Sequence, residues 1–225
     1  VLIVVEGLDG AGKSTQVSML RSYLQEKCPT LEYIHFPRYD APVYGDLIGR
    51  FLRGDFGDIG QVHPQLVALL YAEDRRDAST SMKESLMDEN TILLDRYVYS
   101  NVAYQCAKTT DESERDALRK WIIETEYEAF DIPRPDVNIF LDVPLSFVRE
   151  SLSKNRGGSD RDYLHGEKDI HEADISFQEK VREEYLRLCR EDPLMERVDC
   201  SDSEGRMLPA AEIFRKVRSV VDAHM

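Results

Sequence analysis

Residues 7–15 read GLDGAGKST, with Gly7 and Gly12 bracketing four residues and Lys13 and Ser14 following at once. That GxxxxGK spacing is a phosphate-cradling loop. Glycine at positions such as Gly10 and Gly12 admits positive φ, so the N–H groups around Ala11 can turn together toward one anion. Lys13 adds a mobile positive charge for the outer phosphates, and the Ser14 hydroxyl is a hard oxygen ligand suited to Mg²⁺. The context agrees. VLIVV (1–5) is an unbroken apolar run, as a buried parallel strand requires, and the stretch after Thr15 carries apolar residues at 17, 20 and 24, which is helix spacing. Strand, glycine loop and helix N-terminus follow in the order that adds the helix dipole to the anion site. A second chemical pair ends TILLD (91–95): Asp95 and Arg96. A DR dipeptide alone reads as a solvated charge pair; beside a phosphate loop it reads as an acid that organises Mg²⁺ through water and an arginine that bridges anions.

The elements that must position these residues alternate along the chain. Five short strands are expected at 1–5, 31–36, 91–95, 137–143 and 195–200, with helices from residue 16 and at 43–53, 64–87, 97–107, 114–129, 144–154, 171–191 and 209–223. This βα alternation predicts a parallel sheet with helices on both faces, whose ligands gather at the carboxyl ends of the strands. The loops after Val5, Phe36, Leu94, Val143 and Cys200 should therefore surround one cleft. Residues 154–169, KNRGGSDRDYLHGEKD, are polar, contain glycine and lack periodicity, and are read as a mobile loop. At 225 residues the chain suits a single α/β domain.

Composition narrows the function. With 43 acidic and 29 basic residues the net charge is −14, which argues against a nucleic-acid partner and means that the arginines of a phosphate site must be gathered locally. No apolar stretch is long enough to span a bilayer, and the first strand lacks the basic start of a signal peptide, so a soluble, cytoplasmic protein without membrane association is expected. Cys28, Cys106, Cys189 and Cys200 are scattered without a CxxC pair and are expected to be reduced and structural.

LDGAGKSTQ, then FPRY (36–39), LLYAEDRRD (69–77) and DRYVYSNVAYQ (95–105), in this order and at these separations, resemble the thymidylate kinases among the nucleoside monophosphate kinases. The similarity runs from residue 1 to about 145 and more loosely through 154–185. It implies an α/β fold of the P-loop NTPase type, a five-stranded parallel sheet with helices on both faces and a mobile lid. It also implies Mg²⁺-dependent transfer of the γ-phosphoryl group of ATP to dTMP, in a homodimer.

The resemblance further implies roles residue by residue. Gly7, Asp9, Gly10, Ala11, Gly12, Lys13, Ser14 and Thr15 would hold ATP, with Arg149 near the donor side, and Ser14, Asp95 and Asp9 would hold the metal. Tyr71 would stack on thymine and Arg75 would hydrogen-bond it; positions i and i+4 share a helix face, although Tyr71 taken alone is equally a core aromatic. Phe36, Arg38 and Tyr39 match the segment that holds the acceptor nucleotide, with Arg38 toward its phosphate and Pro37 stiffening the run. Arg96, Ser100, Asn101, Tyr104 and Gln105 match residues lining the base and sugar, and Asn101 can offer both donor and acceptor to a pyrimidine edge. Asp9 matches an acid near the sugar 3′-hydroxyl.

Some family members carry a basic residue where this chain has Gly10; here that charge is absent, and the resemblance shifts the catalytic arginine to the lid, to Arg156 or Arg161. Either can also be read as one charge of a solvated loop. His171 stands where the family has a tyrosine, which removes the expected sugar or base contact there. The alternatives are a kinase of another nucleotide such as dUMP, or a P-loop switch or assembly ATPase, in which the DRY and SNxAYQ residues would have no role.

Overall fold

Three strands of the computed structural model are buried along their whole length: β1 (Leu2–Gly7), β3 (Thr91–Asp95) and β4 (Val137–Asp142). Their mainly apolar sequences, LIVV in β1, ILL in β3 and IFL in β4, show no polar alternation because both faces are covered. The edge strands β2 (Leu31–His35) and β5 (Met195–Asp199) are only partly buried, and carry Glu32, Tyr33, Glu196 and Arg197 accordingly. All pairings are parallel, in the order β2-β3-β1-β4-β5. The structure describes residues 1–58, 60–154, 169, 171 and 174–225.

Register places the chemistry. His35, Asp95 and Val5 lie in one row across β2, β3 and β1, so Asp95 ends beside the strand that feeds the glycine loop. The helices are α1 (Lys13–Lys27), α2 (Tyr44–Arg53), α3 (Pro64–Met87), α4 (Val98–Cys106), α5 (Glu112–Glu124), α6 (Leu145–Ser153), α7 (Ile175–Glu191) and α8 (Ala210–His224). Pro64 at the first position of α3, Asp111 accepting from Glu114 N–H (2.9 Å) and Asp174 accepting from Ser176 N–H (2.8 Å) start their helices as expected for these residue types. The start of α7 corrects the expected one at 171: Asp174 is its cap. The helix expected over 114–129 is also divided, since α5 gives way to a π-helical turn at Thr125–Ala129, in which Phe130 N–H reaches back to Thr125 O (2.9 Å).

The main core surrounds the sheet, and a second, small one, Ile48, Phe51, Leu52 and Val67, lies between α2 and α3. That second core supports one wall of the cleft described next. All four cysteines are free, Cys106 and Cys200 buried and the others half-buried. No described helix is long and apolar enough to cross a membrane.

Candidate active site

The glycine loop follows β1 directly. Gly10 (φ 75°) and Gly12 (φ 72°) take the left-handed backbone that the loop needs, and α1 starts at Lys13 with no side chain capping it, leaving its first amides for an anion. Ser14 and Thr15 are exposed there. Gly10 has a second reason to lack a side chain. A Cβ built on it would meet Ser151 Oγ at 3.1 Å and Leu152 Cδ2 at 3.2 Å, so the end of α6 occupies the space where some relatives place a basic residue. Arg149, one turn earlier on α6, is exposed.

Lys13 Nζ forms a short ion pair with Asp95, their side chains only 11% and 6% exposed. Burial pushes the Lys13 ammonium below its ordinary pKa against the pull of Asp95. Burial likewise pushes Asp95 up, but the charges of Lys13 and His35 override it and hold the carboxyl below its usual value. The loop thus keeps its lysine parked on the acid that ends β3.

Arg96 adopts φ 68°, a conformation that costs a non-glycine residue about 1–2 kcal/mol, and its backbone N–H still bonds Val5 O (2.9 Å). The turn aims its guanidinium across the joint between loop and pocket: Nη1 donates to Gly7 O (2.9 Å) and Ser100 Oγ (3.2 Å), and Nη2 to Asp9 (2.6 Å). Tyr104 lies beneath the guanidinium, 5.2 Å from its ring centroid, and its hydroxyl accepts from Asp9 N–H (3.1 Å).

Beyond Arg96 opens a pocket that is half open to solvent. Phe36, Tyr39, Tyr71, Arg75, Ser100, Asn101, Tyr104 and Gln105 all line it, together with Asp9 and Arg96. Tyr71 and Arg75 reach it from one face of α3. Arg38 does not line it: its Nε bonds Asp74 (2.9 Å) and its Nη2 bonds Asp77 (2.6 Å), beside the pocket. Arg75 is fully engaged on one side, Nε and Nη2 gripping Glu126 at 2.5 and 2.7 Å. Asn101 corrects the expectation that it offers both donor and acceptor. Its Nδ2 is spent on Ala68 O (3.0 Å) and Glu126 (2.9 Å), and only Oδ1 is left without a partner.

His171, where the family has a tyrosine, also reaches the pocket. Its ring lies 5.3 Å from Tyr104 and 5.5 Å from Phe177, and its Nε2 is buried without a partner. Burial pushes it well below its ordinary pKa, so it is a neutral imidazole. The loops of the cleft also divide more than the sequence suggests. A separate hollow beside α1, about 500 Å³, is lined by Ala11, Gly12, Thr15, Leu141, Phe147 and Cys200 among others.

Three buried polar residues were not singled out from sequence. Glu6, fully buried, accepts from Tyr97 N–H (3.0 Å) and Ser100 N–H (3.1 Å) and so caps α4 from the end of β1. It also takes hydrogen bonds from the hydroxyls of Ser100 and Tyr185, and burial raises its pKa. Gln178 holds Asp9, and Glu126 holds Arg75 and Asn101. Each had a sequence signal: Glu126 and Gln178 are polar residues at apolar phase, four after Ile122 and three before Val181, and Glu6 ends an apolar strand. Arg156 and Arg161 lie outside the described residues, as does most of the expected lid.

A glycine loop after β1 with one hollow lined by Ala11, Gly12 and Thr15, and another lined by Asp9, Arg96 and the aromatic residues of α3 and α4, is the arrangement of a P-loop nucleoside monophosphate kinase. Comparison with known proteins sharpens that class. The thymidylate kinase family profile matches residues 5–208, and the chain belongs to that family. The thymidylate kinase of Mycobacterium tuberculosis is 30% identical over 188 residues, covering 84% of this chain and 85% of its own. A probable thymidylate kinase of Thermococcus onnurineus is 34% identical over 200 residues, covering 87% of each. Among solved structures, the thymidylate kinase of Candida albicans superposes with a TM-score of 0.72 at 26% identity, covering all of this chain and 93% of that one.

Proposed function

We infer that this chain transfers the γ-phosphoryl group of ATP to dTMP, giving dTDP and ADP for dTTP synthesis. Membership of the thymidylate kinase family supports that reaction directly. The observation that carries it is the position of Arg96, whose guanidinium bonds the glycine loop at Gly7 O and the acceptor side at Asp9 and Ser100. A group moving between the two nucleotides must pass that point. The switch or assembly ATPase reading leaves the pocket lined by Tyr71, Arg75 and Asn101 without a purpose, and nothing favours it.

Phosphoryl transfer asks little covalent chemistry of the protein, so positioning and charge neutralisation carry it. The loop formed by Gly7, Asp9, Gly10, Ala11, Gly12 and Thr15 wraps the donor phosphates, and Lys13 moves from Asp95 onto them. Arg96 faces the migrating group, whose equatorial oxygens spread negative charge. An oxygen of the dTMP phosphate then displaces ADP in line. Tyr71 stacks on the base, Arg75 and Asn101 meet its edge, and Phe36, Tyr39, Tyr104, Gln105 and Ser100 close around base and sugar. Arg38, held by Asp74 and Asp77, keeps Nη1 for the acceptor phosphate.

Asp95, Asp9 and Ser14 fit Mg²⁺: all three present oxygen, and Lys13 leaving Asp95 frees a carboxylate. Mg²⁺ usually keeps several waters and shares substrate phosphates, so one or two carboxylates are enough to hold it. Bound there, the metal supplies neutralisation of the β- and γ-phosphates. The remaining charge is assigned to Arg156 or Arg161, with Arg149 on the donor side, since Gly10 carries none. A cytoplasmic homodimer with no nucleic-acid or membrane partner completes the reading; family resemblance supports the dimer, and net charge −14 the lack of a nucleic-acid partner. The test is to follow label from the γ position of ATP: it should appear in dTDP, and its release only as inorganic phosphate would overturn the reading.

A further inference from the structure

The wall that meets the base is organised by one carboxylate oxygen. Glu126 Oε1 accepts from Arg75 Nη2 at 2.7 Å and from Asn101 Nδ2 at 2.9 Å, while Oε2 takes Arg75 Nε. Glu126 is fully buried and sits in the π-helical turn that interrupts the helix after α5, a kind of distortion common at functional sites. Its acceptor-only chemistry fixes the Asn101 amide. Both hydrogens of Nδ2 are drawn to acceptors, Glu126 and Ala68 O, so the atom left over in the pocket wall is Oδ1, buried and unpartnered. Arg75, also in the wall, has Nη1 left with no partner among the described residues.

We propose that Glu126 is the positioning residue that makes this pocket select 2,4-dioxopyrimidines over 4-aminopyrimidines. The proposal rests on the pyrimidine-nucleotide reading above. With Asn101 fixed as an acceptor and Arg75 as a donor, the wall matches the N3–H donor and O4 acceptor of thymine or uracil. Cytosine presents the reverse, an N3 acceptor and an N4 donor, and fails at both positions. Without an acceptor-only group at residue 126, the Asn101 amide is free to turn and offer N–H, and the wall accommodates either edge. A site whose buried polar groups are left unpaired rejects the wrong ligand strongly, so the orientation of one amide has a large effect on selectivity.

The experiment compares wild type, Glu126→Gln and Glu126→Asp, with kcat/KM measured for dTMP, dUMP and dCMP. Glutamine keeps the shape and introduces a donor. Aspartate keeps the charge opposite Arg75, and with it a folded protein, but withdraws the carboxylate by one carbon–carbon bond. The dTMP:dCMP ratio should fall by about tenfold or more in the variants, while the dTMP:dUMP ratio stays within about twofold of wild type, because both bases offer the same edge. General loosening of the pocket would move both ratios, and that result overturns the proposal. So does an unchanged dTMP:dCMP ratio in either variant that melts cooperatively. If wild type itself phosphorylates no pyrimidine monophosphate, the underlying reading of the acceptor fails; if wild type does and the ratios hold in the variants, only this inference fails.

Discussion

Gln178 grips Asp9 from two sides: its Oε1 accepts from Asp9 N–H at 3.2 Å and its Nε2 donates to the Asp9 carboxylate at 3.0 Å and to His171 O at 3.0 Å. Gln178 is fully buried, and through it α7 and the chain at residue 171 are tied to the phosphate loop. Gln178→Met, which keeps the volume and removes both bonds, should lower kcat by about 10–100-fold through loss of Asp9 placement, with the fold retained. Wild-type kcat in a variant that melts cooperatively would contradict this.

Lys13, assigned above to the donor phosphates, is paired with Asp95 in the structure. Lys13→Met should lower kcat by about a thousandfold, as loss of a preorganised charge does. Because Asp95 then lacks its neutralising partner, its carboxyl should titrate higher than in wild type, a shift that carbon-detected NMR titration reads. Full turnover, or an unmoved Asp95, would count against the assignment.

Tyr104 is pinned by Asp9 N–H at its hydroxyl and by Arg96 over its face. By family resemblance its ring stands at the sugar and leaves no room for a 2′-hydroxyl. Tyr104→Ala should reduce discrimination between dTMP and its ribose counterpart by about tenfold or more, measured as a ratio of kcat/KM. Tyr104→Phe should keep the discrimination.

Lys108 lies 4.9 Å from the Phe51 ring centroid and donates to Gln105 Oε1 (2.9 Å), and burial pushes its pKa down to about 7. The folded protein therefore binds this proton less readily than the unfolded chain does. Stability should rise with pH from about 7 toward the ordinary lysine value of 10.5, and the penalty should be fully present below about 7. Lys108→Met removes that dependence. The difference in Tm between variant and wild type should be positive near pH 6 and shrink toward pH 10, about the limits of the titration; a difference independent of pH would contradict it.

The fold was legible because the buried strands left nothing ambiguous: apolar runs such as VLIVV and TILLD, each followed by helix periodicity, admit little else than a parallel sheet. The residues that gather at the glycine loop and in the pocket were legible too, since glycine spacing and the DRY block carry chemistry in their types. What escaped was the layer behind them. Glu6, Glu126 and Gln178 act through side chains or backbone groups 91, 51 and 169 positions away, and no local pattern encodes such pairings. The π-helical turn was hidden for a related reason, since it changes hydrogen bonding without changing helical composition. That His171 packs against Tyr104 and Phe177 in the pocket wall was not legible either, because those contacts join residues far apart in sequence or on another element.

The most direct measurement of the central claim is ADP release from ATP and Mg²⁺ across a panel of nucleoside monophosphates, with a reaction lacking any acceptor alongside. The account predicts rapid ADP formation with dTMP, slower formation with dCMP and purine monophosphates, and almost none without acceptor, with dTDP formed in equal amount. Equal ADP release with and without dTMP, or a purine monophosphate preferred over dTMP, would contradict it.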